Sequence, residues 1–237
     1  MEADISENIF ARLINIAGRQ RMLSQRIGFI ISMLHNTSEP GHDIGDDLSA
    51  LLKNAVNDFT LGYAILLQGD KDQGLPQFAS ARVANVLDGR SDANGSEASS
   101  GRATIDRFLL ETGAALVDLT NGRRRGGQQM SDYSAFVLGP VLQTLQKIVE
   151  ALEADFEDEM LARRTRRSAD VELVKMAAGE IQKASKFSRM IALNAKISAN
   201  RAGPHGLEFG ALTEEIKKIS NNITESSQEI MRHLDHV

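Results

Sequence analysis

The sequence predicts an all-α protein, a four-helix bundle followed by an antiparallel coiled-coil hairpin. Three observations carry this. Apolar residues recur at spacings of three and four along most of the 237 residues, the period of an amphipathic helix. Aromatic residues make up only 5% and Trp is absent, so a core of Leu, Ile and Ala suits helix packing better than a β-sandwich. Only four prolines interrupt the chain, which leaves room for long helices.

The first helix is expected from about Ile5 to Asn36, with Ile9, Leu13, Ile16, Leu23, Ile27, Ile30 and Leu34 on its apolar face and Gln20 filling the gap. Asn36-Thr37-Ser38-Glu39-Pro40-Gly41 stops it. A second helix, about Asp46 to Gln68, carries Leu48, Leu51, Leu52, Ala55, Phe59 and Leu66. Residues 69–101 read as a loop centred on Ser91-Asp92-Ala93-Asn94-Gly95-Ser96, with a short helix near Ala79 to Leu87. A third long helix spans about Thr104 to Leu119. The glycine-flanked Arg123-Arg124-Arg125 after it reads as an exposed, solvated basic turn. The fourth starts near Ser131, with Pro140 in its first turns or kinking it, and continues through Leu142, Leu145, Ile148, Leu152 and Phe156.

These four helices define residues 1–162 as one domain and 163–237 as a second. In the second, Val174, Ala177, Ile181, Ala184, Ser188, Ile191, Ala195, Ser198 and Ala202 alternate three and four. Gly203-Pro204-His205-Gly206 forces a turn. Phe209, Leu212, Ile216, Ile219, Ile223, Ser226, Ile230, His233 and Val237 then repeat the alternation. The expected seam sets the Ala- and Ser-rich stripe against the Ile- and Leu-rich one. A lone hairpin has too little core, so partner helices are expected, most simply a second copy.

Composition excludes several classes of function. The absence of Cys removes disulfides, thiolate nucleophiles and Cys-ligated metals. A formal net charge of −5 argues against nucleic acid as the main partner. No apolar run approaches the ~18 residues of a membrane span, and Met1-Glu2-Ala3-Asp4 does not open like a signal peptide, so a cytoplasmic protein is expected. His35, His42, His205, His233 and His236 are scattered, and His233 with His236 reads as an exposed tail, not a metal site. The acidic run Glu153 to Glu159 lacks the Glu-x-x-His pattern of di-iron bundles. Met22, Met33 and Met190 read as core. No phosphate-binding loop, dinucleotide fingerprint or nucleophile–base pair is visible, so no enzyme, cofactor or metal is expected.

The first helix also holds Asn15-Ile16-Ala17-Gly18-Arg19-Gln20-Arg21-Met22-Leu23-Ser24-Gln25-Arg26. Arg12, Arg19 and Arg26, seven apart, share a face. Arg21 lies on the small-residue stripe Ile14, Ala17, Arg21, Ser24, Gly28, where another helix can come close. A partly desolvated guanidinium there needs an anionic partner, from the protein or a ligand. The twelve residues closely resemble the N-terminal motif of type IV pilus methyl-accepting transducer sensor domains and the box of nitrate/nitrite sensor kinases. The resemblance implies a helical bundle that dimerises through its first helix and holds a small anion, nitrate or nitrite, at the dimer axis. It places the anion on Arg21 and Arg26, with Arg19, Gln20 and Gly18 in the same box.

Near the carboxyl end, Ile191-Ala192-Leu193-Asn194-Ala195-Lys196-Ile197, Arg201-Ala202-Gly203, His205-Gly206 and Phe209 resemble the hairpin tip of methyl-accepting chemotaxis proteins. In that family the tip binds a histidine kinase and its coupling protein. Leu193, Asn194, Arg201 and Phe209 match the pattern. Two features depart from it. Ser198 stands where the family has glutamate, and Leu207-Glu208-Phe209 replaces Arg-Gly-Phe. The resemblances together imply a homodimeric, anion-binding signal transducer that acts on a kinase, coupling protein or chemoreceptor partner. The alternative is a ligand-independent scaffold whose arginines pair internally.

Overall fold

The computed structural model describes residues 7–36, 43–75, 80–89 and 100–235. The expected breaker at residues 37–41, the loop centre at 91–96, His236 and Val237 lie outside the described residues. The helices are α1 (Glu7–Asn36), α2 (Asp43–Gln68), α3 (Ala81–Asp88), α4 (Gly101–Thr120), α5 (Gly127–Phe136), α6 (Leu142–Arg201) and α7 (Leu207–Leu234). A π-helical turn, Val137–Val141, joins α5 to α6, and a 3₁₀ turn, Gly203–Gly206, joins α6 to α7. The fold class is all-α, as the periodicity predicts, with no strand longer than the bridge Asp70–Leu75 among the described residues. The chain divides into two units, Met1–Glu159 and Met160–Val237.

The first unit packs α1, α2, α4 and the α5–α6 rod around one core. Leu13, Ile27 and Ile31 from α1 meet Leu52 and Phe59 from α2, Ile105 and Phe108 from α4, and Leu145 and Leu152 from α6, all essentially buried. Each such side chain contributes about 1.5–3 kcal/mol. Phe59 and Phe108 meet edge to face at 5.1 Å, and Phe10 packs on Phe156 at 5.6 Å. Thr112 and Tyr133 share a buried hydrogen bond of 2.8 Å between α4 and α5. Ser80 caps α3 by accepting from the Val83 amide, and Gly89 ends it at φ 67°. Pro140 has no N–H to give an α-helical bond, and the chain absorbs it as a π turn. Within Gly127–Arg201 one 18-residue window does have the length and composition of a membrane-crossing helix, contrary to the expectation above; 44% of it is buried inside the protein.

The second unit is the hairpin of α6, from Met160, and α7. Its seam is not the expected one. The buried residues are Ala178, Ser185, Ala192 and Ala199 on α6 and Gly206 of the turn with Thr213, Ser220 and Ser227 on α7, each set seven apart. Both sides of the seam are small, so the backbones approach closely. The large residues expected in it, including Ile181, Ile191, Leu212, Ile216, Ile219 and Ile223, are exposed. Lys175–Asp235 (2.7 Å), Arg189–Asn221 (3.0 Å) and Lys196–Glu214 bridge the helices on one flank. Helix geometry then puts the Ile and Leu stripe of α7 on the other flank, beside Val174, Ile181 and Ile191 of α6. That flank is the more apolar of the two.

Candidate functional site

The structure separates the α1 arginines according to their helical angle. Arg21 sits on the small stripe, but the helix that approaches there is the chain's own. A Cβ on Gly28 would stand 3.1 Å from Val137 of the π turn, and the Arg21 guanidinium donates to the Gln146 side chain of α6. Gln146 in turn donates to Glu150 at 2.8 Å. Arg21 therefore faces into the bundle, about 140° around the helix from Arg26.

Arg12, Arg19 and Arg26 follow their common face, and the first two are engaged. Arg12 donates to the Gln73 carbonyl at 2.8 Å, tying α1 to the turn after α2. That turn is built by Asp70, whose side chain accepts from the Asp72 and Gln73 amides. Arg19 pairs with Asp58 of α2 at 2.7 Å, with both side chains about half exposed. An exposed pair of this kind contributes about 0–1 kcal/mol, so Arg19 is readily released to another anion. Arg26 is exposed.

Between Arg19 and Arg26 runs an open groove of about 450 Å³, lined also by Met22, Leu23, Gln25, Phe29 and Asp58. Met22 is 70% exposed and Phe29 66%. The reading of Met22, Met33 and Met190 as core is thereby corrected: all three lie on the surface. The periodicity already carried the signal, since Met22 and Phe29 are seven apart and flanked by Arg19 and Arg26. A stripe of two large apolar and two cationic side chains facing water has the make-up of a contact face with an anion between charges.

Gln20 and Gly18 do not line this groove. Gln20 is 1% exposed and packs over Gly62 of α2, where a Cβ would come within 2.0 Å of its amide nitrogen. Among the described residues its buried Oε1 has no hydrogen-bond partner, and neither does the hydroxyl of Tyr63, next to Gly62 in α2. Among the described residues nothing approaches within 4 Å of a Cβ built on Gly18. The α1 box thus contributes to three surroundings: Arg19 and Arg26 to the groove, Arg21 to α6, and Gln20 to the α1–α2 interface.

At the hairpin, Leu193, Asn194, Arg201 and Phe209 are all exposed around the turn. Ser198, in the place of the family's glutamate, donates to the Asn194 carbonyl at 3.2 Å. Lys196 and Glu214 bridge the helices beside these residues, and Glu214 is held below the usual carboxylate range by hydrogen bonds from Lys196 and Lys217. Gly206 closes the tip. Among the described residues no group of three His, Asp or Glu side chains is placed to hold a metal ion.

No curated protein and no solved structure matches the chain. Residues 6–89, which span α1, α2 and α3 and so include both edges of the groove, match the family model PilJ, the type IV pili methyl-accepting chemotaxis transducer N-terminal domain.

Proposed function

We propose that the protein is a non-catalytic signal transducer of the chemotaxis type, acting in the cytoplasm, whose α1 groove pairs with that of a second copy over a small anion, nitrate or nitrite. The observation that carries this is the exposed Met22–Phe29 stripe flanked by Arg19 and Arg26, within the segment that matches the transducer family. Two such faces packed together bury the apolar side chains. They also bring four guanidinium groups near one axis, which repel unless an anion sits between them. Ligand binding and α1 pairing are therefore coupled. A displacement of α1 of about 1–2 Å would act on the π turn through the Gly28–Val137 contact. The hairpin tip, with Leu193, Asn194, Arg201 and Phe209, is the proposed output surface toward a kinase, coupling protein or receptor partner.

A second reading, the ligand-independent scaffold, is favoured by one observation: Arg19 and Arg21 already have partners, in Asp58 and Gln146. A thermal-shift series at fixed ionic strength separates the two, comparing nitrate and nitrite with chloride and sulfate. At ~100 times its dissociation constant a ligand adds about 2.7 kcal/mol, several degrees in Tm. The transducer reading expects such a shift for nitrate or nitrite alone, lost in Arg26→Ala with the fold retained. Equal midpoints in all four salts, with Arg26→Ala behaving like the parent, would leave the scaffold.

A further inference from the structure

Between α4 and the start of α5 lies a second open cavity, of about 360 Å³, lined by Arg107, Glu111, Asp118, Arg125, Asp132 and Tyr133. Gln129 completes its wall. That size falls within the range of ordinary ligand pockets, about 300–1,000 Å³. The glycine-flanked arginine run is expected to be wholly solvated, but Arg125 turns back into this cavity and is only 15% exposed. Its Nε donates to Asp118 at 3.1 Å and one terminal nitrogen donates to the Glu111 carbonyl at 3.3 Å. Arg107 lies 4.2 Å over the Phe136 ring and donates through Nε to Glu111 at 2.7 Å. Tyr133, buried and bonded to Thr112, forms the floor.

These bonds fix the charged groups without using them up. Among the described residues, both terminal nitrogens of Arg107 and one of Arg125 have no hydrogen-bond acceptor. Among the same residues, one carboxylate oxygen each of Glu111 and Asp118 has no donor. Asp132 accepts from Gln128 through one oxygen at 2.9 Å, and among the described residues its other oxygen has no donor. Two cations and three carboxylates give 2 − 3 = −1 around the cavity. A simple anion meets three carboxylates there and a simple cation meets two guanidinium groups. A metal ion lacks a converging donor set among the described residues. A molecule that carries both charges satisfies both sets at once.

We propose that this cavity is a ligand site for a small zwitterion of the α-amino-acid class, its carboxylate on the Arg107 and Arg125 guanidinium groups and its ammonium on Asp132 and Asp118. The site is independent of the α1 groove, so the chain has two places where a small molecule acts on the bundle. Arg125, tied by two hydrogen bonds and largely buried, loses little freedom on binding, which favours affinity for a ligand this small.

The test is calorimetric titration of the full chain with the twenty L-amino acids. The best binder is then compared with its decarboxylated amine and its deaminated acid. Asp132→Asn keeps the bond from Gln128 and removes only charge, so it leaves the fold intact; Arg125→Gln is the second variant, checked by circular dichroism. The expected result is an amino acid that binds, with each one-charge analogue and each variant weaker by about tenfold or more. The proposal fails if no amino acid binds. It fails equally if an analogue binds as well as the amino acid, or if binding survives Asp132→Asn unchanged.

Discussion

At the scale of single residues, burial decides what each polar group does. The chain has two tyrosines, and both are buried in the bundle. Burial pushes Tyr133 up to about 12, against a smaller opposing effect of its hydrogen bond to Thr112; burial also raises Tyr63. The unfolded phenol ionises near 10, so between about 10 and 12 the unfolded state releases a proton that the folded state keeps. Stability from Tyr133 is therefore complete below pH ~10 and falls by roughly 3 kcal/mol as pH rises through ~12. Alkaline melting curves of the parent and Tyr133→Phe should converge over that interval, and the folded protein should show no phenolate absorbance at the ordinary tyrosine pKa. A phenolate signal appearing there while the protein is still folded would show that the hydroxyls are open to water. Gln20 illustrates what the sequence allowed at this scale. Its position in the apolar repeat marked it as buried, and it is. Arg21 and Arg26 stand in one motif five residues apart, and only the helical angle, together with the identity of the neighbouring helix, separates their surroundings.

At the scale of elements, helix positions were legible because three-and-four spacing is local, and Gly and Pro punctuate it. The partner of each face was not legible. In the hairpin the eye follows the Ile and Leu stripes, yet the helices meet along Ala178, Ser185, Ala192 and Ala199 opposite Gly206, Thr213, Ser220 and Ser227. Hydrophobic period shows that a stripe wants cover; it does not say which helix covers it. Close approach has a consequence at the tip. A Cβ on Gly206 would stand 2.1 Å from the Ala199 carbonyl oxygen, a backbone atom that cannot swing aside, whereas one on Gly210 would rest 3.8 Å from the Ala199 methyl. Gly206→Ala should therefore destabilise the hairpin by about 1–3 kcal/mol, while Gly210→Ala stays within about 0.5 kcal/mol or gains slightly from helix propensity. Amide hydrogen exchange across residues 178–227 reads this directly. Equal protection in the two variants would mean that the tip is not packed as described.

At the scale of the whole molecule, the distribution of apolar surface is the feature that a single chain leaves unbalanced. The first unit buries its large side chains except along the α1 groove and a few scattered positions. The second unit exposes nearly all of its own, from Val174 and Ile181 to Ile223 and Ile230. A hairpin closed only by Ala, Ser, Thr and Gly gains little from the hydrophobic effect, since small side chains bury little apolar area. Its apolar face is a continuous stripe at coiled-coil spacing, and two such faces can interdigitate as a four-helix arrangement. The proposed homodimer thus has two candidate faces, the groove of the first unit and the apolar flank of the second. Charge placed on either face should weaken association without unfolding the helices, since these side chains are already in water in the single chain. Sedimentation velocity over a concentration series would follow Phe29→Asp, Ile219→Asp and the double variant. We expect the parent to associate, each single variant to shift the dissociation constant by at least about tenfold, and the double variant to stay monomeric, with helical content unchanged. A parent that remains monomeric at every concentration would remove the second copy as occupant of both faces. The Ile and Leu stripe would then have to be covered by a different chain, and Leu193, Asn194, Arg201 and Phe209 would mark where that chain meets the tip.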